Sequence, residues 1–227
     1  MSKIRIAFVL RMVDDFTGEP VRDGRFLFTS GGRVLHSIPK KKEGMYVFLE
    51  SGEERFCLTV ESAGYHKKEV VIRRGSLDPA YPVAEIRLYG RPERYRRGCC
   101  GLFTGRLTGQ PGGFPAEVLA ERVRPVGLTF LKGRQEDGRR LLAFKGFTRE
   151  ELTGRTYILS GMKNPLPFVL TEKRGINEYF ADLPQAGLKE VRTGASLIRV
   201  YRSVSDASGA YAVPVEKGEE CRLLDMR

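Results

Sequence analysis

Apolar and polar side chains alternate along the first part of the chain, which is the pattern of β-strands with one buried face. From Ile4 to Met12 every second residue is apolar, so these side chains fall on one face of a strand. Gly18 and Pro20 end this run, because glycine permits positive φ and proline ends a hydrogen-bonded ladder. Later strands are predicted at Arg25–Phe28, Val34–Ile38, Met45–Leu49, Phe56–Glu61, Glu69–Arg73 and Val83–Tyr89. Short strands at this spacing predict two packed sheets or one closed sheet.

Three short motifs follow one another in this region. They are DDFTGEPV at Asp14–Val21, GMYVF at Gly44–Phe48, and a strand that ends in ESAGY at Glu61–Tyr65. In this order they resemble the carboxypeptidase regulatory-like domain of the wider transthyretin-like β-sandwich group, over residues 4–89. The matching positions are Asp14 or Asp15, Thr17, Gly18, Pro20, Val21, Gly44, Tyr46, Phe48, Gly64 and Tyr65. The resemblance implies a sandwich that serves as a scaffold, a spacer or a binding module, and it supplies no catalytic residue.

The second half is also predicted to be rich in strands, although its pattern is less regular. The predicted strands are Leu102–Leu107, Val126–Leu131, Leu141–Phe147, Thr156–Ser160, Phe168–Thr171, Ile176–Leu183, Leu197–Val204 and Tyr211–Val215. Ala116–Val123 is ambiguous in type, and Arg149–Thr153 is predicted as one helical turn capped by Thr148. A weaker resemblance to the D-x-x-G-x-Y hairpin of the same sandwich families lies at residues 206–215. We therefore predict an all-β protein of two β-sandwich domains, Ig-like or transthyretin-like, with the topology of the second left open.

A basic segment at residues 91–98 interrupts the strand pattern and is predicted to be a linker. The stretch Gly90–Gly98 contains Gly, Pro and four arginines, a composition typical of a domain boundary. The predicted domains are therefore residues 1–90 and residues 99–227. Residues 1–90 carry 15 Lys and Arg against 12 Asp and Glu, whereas residues 91–227 carry 24 against 16.

Composition limits the cellular setting. No apolar run approaches the roughly 18 residues that a membrane helix needs, so no membrane span is predicted. The N-terminus lacks a charged stretch followed by an apolar region and a cleavage site, so we expect cytoplasmic synthesis without a signal peptide. Incorporation into an exported or particle-like assembly fits this expectation.

The sequence offers no set of residues for catalysis. The two histidines, His36 and His66, have no nearby nucleophile motif, and the neighbouring carboxylates would point to opposite faces of a strand. The four cysteines form no C-x-x-C pair and have no histidine at zinc spacing. The adjacent Cys99 and Cys100 are expected to be reduced thiols, with a metal site or a strained vicinal disulfide as the alternatives. We expect a protein that is not an enzyme and that uses neither a metal nor another cofactor.

The basic balance, with a formal net charge of +11, points to an acidic partner. Specific nucleic-acid binding is not favoured, because acidic residues are spread among the basic ones and no nucleic-acid-binding motif is present. Two segments are candidate contact sites: an arginine cluster that contains a tyrosine and a Gly-rich loop. The candidate interaction residues are Arg94, Tyr95, Arg96, Arg97, Gly109, Gly112, Gly113 and Phe114.

The function that these observations favour is docking to other protein subunits. We expect a structural or adaptor protein of a larger assembly, for example a phage-tail-like contractile injection system. A carbohydrate-binding sandwich is the first alternative, with tyrosines in place of the absent tryptophan. A basic nucleic-acid-binding protein is the second. The tyrosines considered for sugar stacking are Tyr46, Tyr65, Tyr81, Tyr89 and Tyr95.

Overall fold

The protein is all-β, as the sequence predicts. The computed structural model describes residues 5–40, 43–49, 53–95, 98–108, 113, 115–162, 165–183 and 191–224. Among the described residues, 57% lie in strands or bridges and 4% in helices. Two short 3-10 helices lie at Arg74–Ser76 and Pro92–Arg94. In the described part of the chain, no helix is both long enough and apolar enough to span a bilayer.

The chain divides into two compact units. The first consists of Met1–Asp14 and Glu19–Arg94, and the second of Asp15–Gly18 and Tyr95–Arg227. The division after Arg94 falls inside the predicted linker, residues 91–98. The four residues Asp15–Gly18 belong to the second unit although the chain on either side of them belongs to the first.

The first unit contains two four-stranded sheets. Its strands are β1 (Ile6–Asp14), β2 (Leu27–Ser30), β3 (Arg33–Val34), β4 (Ile38–Lys40), β5 (Met45–Leu49), β6 (Arg55–Ser62), β7 (Tyr65–Arg73) and β8 (Val83–Leu88). One sheet has the order β4-β5-β1-β8 and the other β3-β2-β6-β7. All pairs are antiparallel except β1 with β8, which run parallel.

Both sheets of the first unit contribute to one hydrophobic core, which makes the unit sandwich-like. Phe8 of β1 lies between Phe48 of β5 and Phe56 of β6, with ring centroids 4.7 Å away in both cases. Phe28 of β2 packs against Phe48 at 5.2 Å. Aromatic pairs at these distances add to the free energy gained from burying their area.

The DDFTGEPV and GMYVF motifs meet at Gly44. This residue has φ of +67°, and a Cβ there would lie 3.0 Å from the Met12 carbonyl oxygen and 3.1 Å from Pro20 Cβ and Val21 N. The backbone also hydrogen-bonds here, since Met12 N donates to the Gly44 carbonyl at 2.8 Å. Gly44 is therefore required both for its left-handed conformation and for its lack of a side chain.

Replacing Gly44 by alanine should destabilise the first unit more than the same change at Gly32. Both residues have left-handed φ, +67° and +78°, but a Cβ at Gly32 would meet nothing within 4 Å. The conformational penalty of about 1–2 kcal/mol applies to both variants, whereas only Gly44→Ala adds steric contact, for a total of roughly 2–4 kcal/mol. Urea unfolding of both variants measures the difference, and equal losses would contradict the packing argument.

The second unit contains an eight-stranded antiparallel sheet and a two-stranded one. Its strands are β9 (Gly101–Arg106), β10 (Glu117–Arg122), β11 (Leu128–Glu136), β12 (Arg139–Gly146), β13 (Arg155–Leu159), β14 (Phe168–Gly175), β15 (Glu178–Asp182), β16 (Leu197–Val204), β17 (Ala210–Val215) and β18 (Cys221–Leu223). The large sheet has the order β11-β12-β15-β14-β13-β16-β10-β18, and β17 pairs with β9.

Six strands of the large sheet close into a ring. Phe130 N on β11 donates to the Ala195 carbonyl at 2.8 Å, and Val126 N donates to the Leu197 carbonyl at 3.0 Å. Thr129 and Ser196 form an antiparallel bridge at the same place. The first strand of the order thereby joins the sixth, and every strand of the ring contributes side chains to one hydrophobic cluster. This closure gives the second half the topology that the sequence left open.

A second, smaller cluster forms where β16 and β10 extend beyond the ring. Tyr201 of β16 and Val118 of β10 pack with Val213 of β17. Across the β9–β17 ladder Tyr211 lies opposite Gly105, where a Cβ would fall 2.7 Å from the tyrosine Cζ. The glycine therefore leaves room for the tyrosine ring of the weaker hairpin motif.

The predicted helical turn at Arg149–Thr153 is wrong, because these residues form bends and turns rather than a helix. The Thr148 hydroxyl does accept a backbone hydrogen bond, from Glu150 N at 3.2 Å, although no helix follows. Glu151 Oε1 accepts from Thr153 N at 3.2 Å. Side chains thus take up the backbone donors locally, and such bonds compete with helix formation.

Candidate functional site

The predicted interaction residues divide into those that the structure describes and those that it does not. Arg96, Arg97, Gly109, Gly112 and Phe114 lie outside the described residues. Gly113 is exposed with φ of +76° and has open space around it. Arg94 contacts Asp14 and Asp23 of the first unit, and Tyr95 contacts Phe16 of the second unit.

Arg94 forms a network with two carboxylates and a tyrosine. Its Nε lies 3.3 Å from Asp14 Oδ2, and its Nη2 donates to Asp23 Oδ1 at 2.8 Å. The guanidinium lies over the Tyr65 ring, 4.4 Å from the centroid. The Tyr65 hydroxyl donates to Asp14 Oδ2 at 3.1 Å. The DDFTGEPV and ESAGY motifs are therefore joined by a buried carboxylate, a phenol and a cation.

The charges of this network act on its own titratable groups. The hydrogen bond from Arg94, which stabilises the carboxylate, lowers the pKa of Asp23 below its ordinary value of 3.8. Burial, with the nearby Asp14 charge, raises the pKa of Tyr65. Tyr65 therefore remains a hydrogen-bond donor at neutral pH. Within the described contacts, Arg94 acts as a structural residue of the first unit.

Replacing Arg94 by methionine should destabilise the first unit by about 2–4 kcal/mol, because the buried Asp14 carboxylate loses its guanidinium partner. The effect should shrink as the pH falls through the depressed pKa of Asp23, since that carboxylate contributes stability only while it is ionised. Arg33→Met, at an exposed position of β3, is the matched control and should change stability by less than about 0.5 kcal/mol. Chemical unfolding at pH 7 and at a series of lower pH values down to pH 2 measures both effects, and a loss that stays constant over the whole series would contradict the assigned role of Asp23.

A groove of about 620 Å³ lies beside this network in the first unit. Three segments form it: the chain that leads into β2, the ESAGY turn between β6 and β7, and Arg91. Its volume falls within the range of ligand sites. Its lining residues are Arg25, Phe26, Leu27, Glu61, Ser62, Ala63, Tyr65, Lys67 and Arg91.

The groove combines an apolar wall with a positive rim. Phe26 is half-buried and stacks on the Tyr65 ring, with centroids 5.9 Å apart. Arg25 is exposed, and it forms no ion pair among the residues that the structure describes. Arg91 Nε donates to the Tyr65 carbonyl at 3.2 Å, which fixes the guanidinium at the groove. Burial, followed by the charge of Arg91, lowers the pKa of the neighbouring His66.

Within the lining one carboxylate faces these cations, and a second, Glu69 of β7, lies 3.9 Å from Lys67 Nζ. Glu61 lies 3.4 Å from Lys67 Nζ, and both side chains are about half exposed, so the pair contributes little energy. Lys67 is thus paired, and the positive surplus comes from Arg25 and Arg91, for which no ion pair is found among the described residues. This surplus of positive charge next to apolar side chains fits an anionic segment that also carries apolar groups.

The tyrosines considered for sugar binding do not form a common exposed face. Tyr46 and Tyr65 are buried in the core of the first unit, and Tyr95 packs edge-on against Phe16, with centroids 5.0 Å apart. Lys68 Nζ covers the Tyr89 ring at 4.5 Å. Tyr81 is exposed. Stacking on a sugar needs an accessible ring face, and of these residues Tyr81 offers one.

In the second unit, the turn Asp15–Gly18 is held by two arginines of β16. Arg202 makes a bidentate pair with the buried Asp15 carboxylate, with Nε 3.0 Å from Oδ2. Arg199 is 1% exposed, and its Nη2 donates to the Phe16 carbonyl at 3.1 Å. The rings of Tyr157 and Tyr201 lie beside its guanidinium at 5.6 and 5.2 Å. These contacts explain why the first motif needs its second aspartate.

The four cysteines are free thiols in different surroundings. Cys57 and Cys99 are exposed, whereas Cys100 and Cys221 are half-buried. Burial, with the charge of Glu219, raises the pKa of Cys221 to about 11. Within the described ranges, no group of three or more His, Cys, Asp or Glu is placed to hold a metal ion.

Cys221 should be the slowest of these thiols to alkylate in the native protein. With a pKa of about 11, roughly one molecule in a thousand carries the thiolate at pH 8. Its labelling rate with iodoacetamide should rise about a hundredfold between pH 8 and pH 10. Peptide mapping after timed quenching measures each site, and urea-unfolded protein is the control. Native Cys221 reacting at pH 8 as fast as Cys57 would contradict the assigned environment.

The groove and the networks thus belong to an all-β protein of two compact units. Comparison of the chain with protein-family models, with curated proteins and with solved structures finds no match. The resemblance to the carboxypeptidase regulatory-like domain stays a prediction from the three motifs.

Sequence reasoning missed the groove because its walls come from three separated segments. Arg25, Lys67 and Arg91 are more than 20 positions apart from one another in the chain. The ESAGY turn was the available signal, since it supplies four of the nine lining residues. The net positive charge predicts a partner with negative charge, but it does not show where on the protein that partner would bind.

Proposed function

We propose that this protein is a non-catalytic docking protein that binds an acidic, partly apolar segment of a partner subunit in the groove of the first unit. The observation that carries the proposal is the surplus positive charge of Arg25 and Arg91, with the paired Lys67, beside Phe26 in a groove of ligand-binding size. Complementary charge would steer the encounter, and the apolar wall would contribute to affinity. The role is that of an adaptor or structural part of a larger assembly.

Groove binding is favoured over strand addition at the edges β3, β4 and β7 of the first unit, because these strands carry features that oppose pairing. The edge strand β4 contains Pro39, which cannot donate a ladder hydrogen bond, and Lys40. The edge strand β3 has two residues. The remaining edge strand of that sheet, β7, carries Lys67 and Lys68. Short strands, proline and lysine are common ways to prevent edge pairing.

A defined peptide pair tests the proposal. A labelled peptide rich in Glu and Leu should bind the full chain at least about tenfold more tightly than the same peptide with Gln at every Glu position, measured by fluorescence anisotropy. The preference should weaken as salt is raised, because exposed charges are screened. Equal binding of both peptides, or no binding at low salt, would overturn the proposal.

Charge reversal locates the binding surface. Arg25→Glu should remove most of the preference for the acidic peptide, and adding Lys67→Glu should abolish it. Arg33→Glu is the matched control, because Arg33 is exposed on β3 and does not line the groove. Thermal unfolding of each variant shows whether the fold is retained. If Arg33→Glu had the same effect as Arg25→Glu, the groove would not be the site.

The non-catalytic part of the proposal has its own test. Turnover of a panel of generic esters, glycosides or phosphates by the purified protein at ordinary enzymatic rates would contradict it. The expectation that the assembly is a contractile injection particle rests on the predicted sandwich and the predicted cytoplasmic synthesis. That expectation stays a prediction.

A further inference from the structure

Two apolar side chains stand out at one corner of the second unit. Ile176 is 93% exposed and Phe147 is 74% exposed, the highest values among the large apolar residues that the structure describes. Ile176 lies in the turn between β14 and β15, and Phe147 directly follows β12. Asn177 Nδ2 donates to the Gly146 carbonyl at 3.0 Å, so the two segments are joined here. We call Phe147 and Ile176 the apolar corner.

The backbone around the apolar corner is held firmly. Gly127 has φ of +89°, and a Cβ there would lie 2.6 Å from the Phe147 carbonyl oxygen. Gly146 has φ of +118°, and Asn177 adopts the left-handed region without being glycine. Phe144 N also donates to the Asn177 carbonyl at 2.9 Å. Side chains displayed from a fixed backbone lose less entropy when they bind, so exposure on such a corner suits a contact site.

Exposed cations lie within a few residues of the apolar corner along the chain. Lys145, Arg149 and Lys173 are exposed, and no side-chain hydrogen bond or ion pair is found for them among the described residues. The hydrogen bonds from Thr153 and the charge of Lys173 together lower the pKa of Glu151. The carboxylates nearby, in contrast, already have partners. Those pairs are Glu150 with Arg122, Glu151 with Thr153, Glu172 with Arg139 and Glu178 with Arg134.

We propose that the apolar corner inserts into the surface of an anionic membrane, with Lys145, Arg149 and Lys173 contacting the lipid headgroups. Two protruding side chains fall far short of the roughly 800 Å² per partner that a stable protein interface buries. A bilayer surface requires no matching shape, and it gains from both apolar insertion and basic charge. The corner thus fits a peripheral lipid contact that is independent of the groove in the first unit.

Vesicle sedimentation tests this with the full chain. Vesicles of phosphatidylcholine containing phosphatidylglycerol should retain the protein at low salt, whereas pure phosphatidylcholine should retain much less. Ile176→Asp should weaken retention at least about tenfold, and Lys145→Glu with Lys173→Glu should remove the preference for anionic lipid. Val34→Asp is the matched control, since Val34 is an exposed apolar residue of the first unit.

A tryptophan probe reports insertion directly. The chain contains no tryptophan, so Phe147→Trp adds a single indole whose emission should shift to the blue when anionic vesicles are added. No retention at low salt, retention unaffected by Ile176→Asp, or an unshifted indole would each overturn the proposal. If Ile176→Asp changed self-association while vesicle retention stayed the same, the corner would be a protein contact and the lipid assignment would be wrong.

Discussion

Two neighbouring carboxylates, Asp14 and Asp15, are both buried, and the rest of the structure has to neutralise them. A buried charge without a partner is very costly, so each requires a cation within its own unit. Arg94 meets this requirement in the first unit, 80 positions along the chain from Asp14. Arg202 meets it in the second, 187 positions from Asp15. Each pair joins residues that are far apart in the chain, so it forms only after the sheets of its unit have assembled.

The sequence motifs have physical explanations that local pattern alone could not supply. Gly18 was expected to adopt positive φ and has +75°, but its further constraint is the Gly154 carbonyl oxygen, 2.7 Å from where a Cβ would lie. Tyr65 ends a predicted strand, and its hydroxyl binds a carboxylate 51 residues earlier. The residues of a motif in one segment are thus needed for contacts with a segment far away in the chain. The motif can be recognised in the sequence before the contacting segment is known.

Short-range order was predictable from alternation, whereas long-range pairing was not. The bounds of β5 and β16 agree with the predicted strands, because an apolar run between turn residues defines them locally. The closure of the ring depends on Thr129 meeting Ser196, and nothing within either strand encodes that pairing. The same limit applies to the groove, where Arg25 and Lys67 meet only after β2 has paired with β6 and β6 with β7.

The net positive charge is best understood after the paired cations are set aside. Arg139 binds Glu172, and Arg174 binds Glu136, so these exposed arginines of the second unit are already paired with carboxylates. Ion pairs of this kind leave little charge for a phosphate backbone, which needs many free cations along one face. Cations without such pairs remain at separate places, beside the groove and beside the apolar corner. In both places they adjoin apolar side chains, which favours partners that present an apolar group together with negative charge.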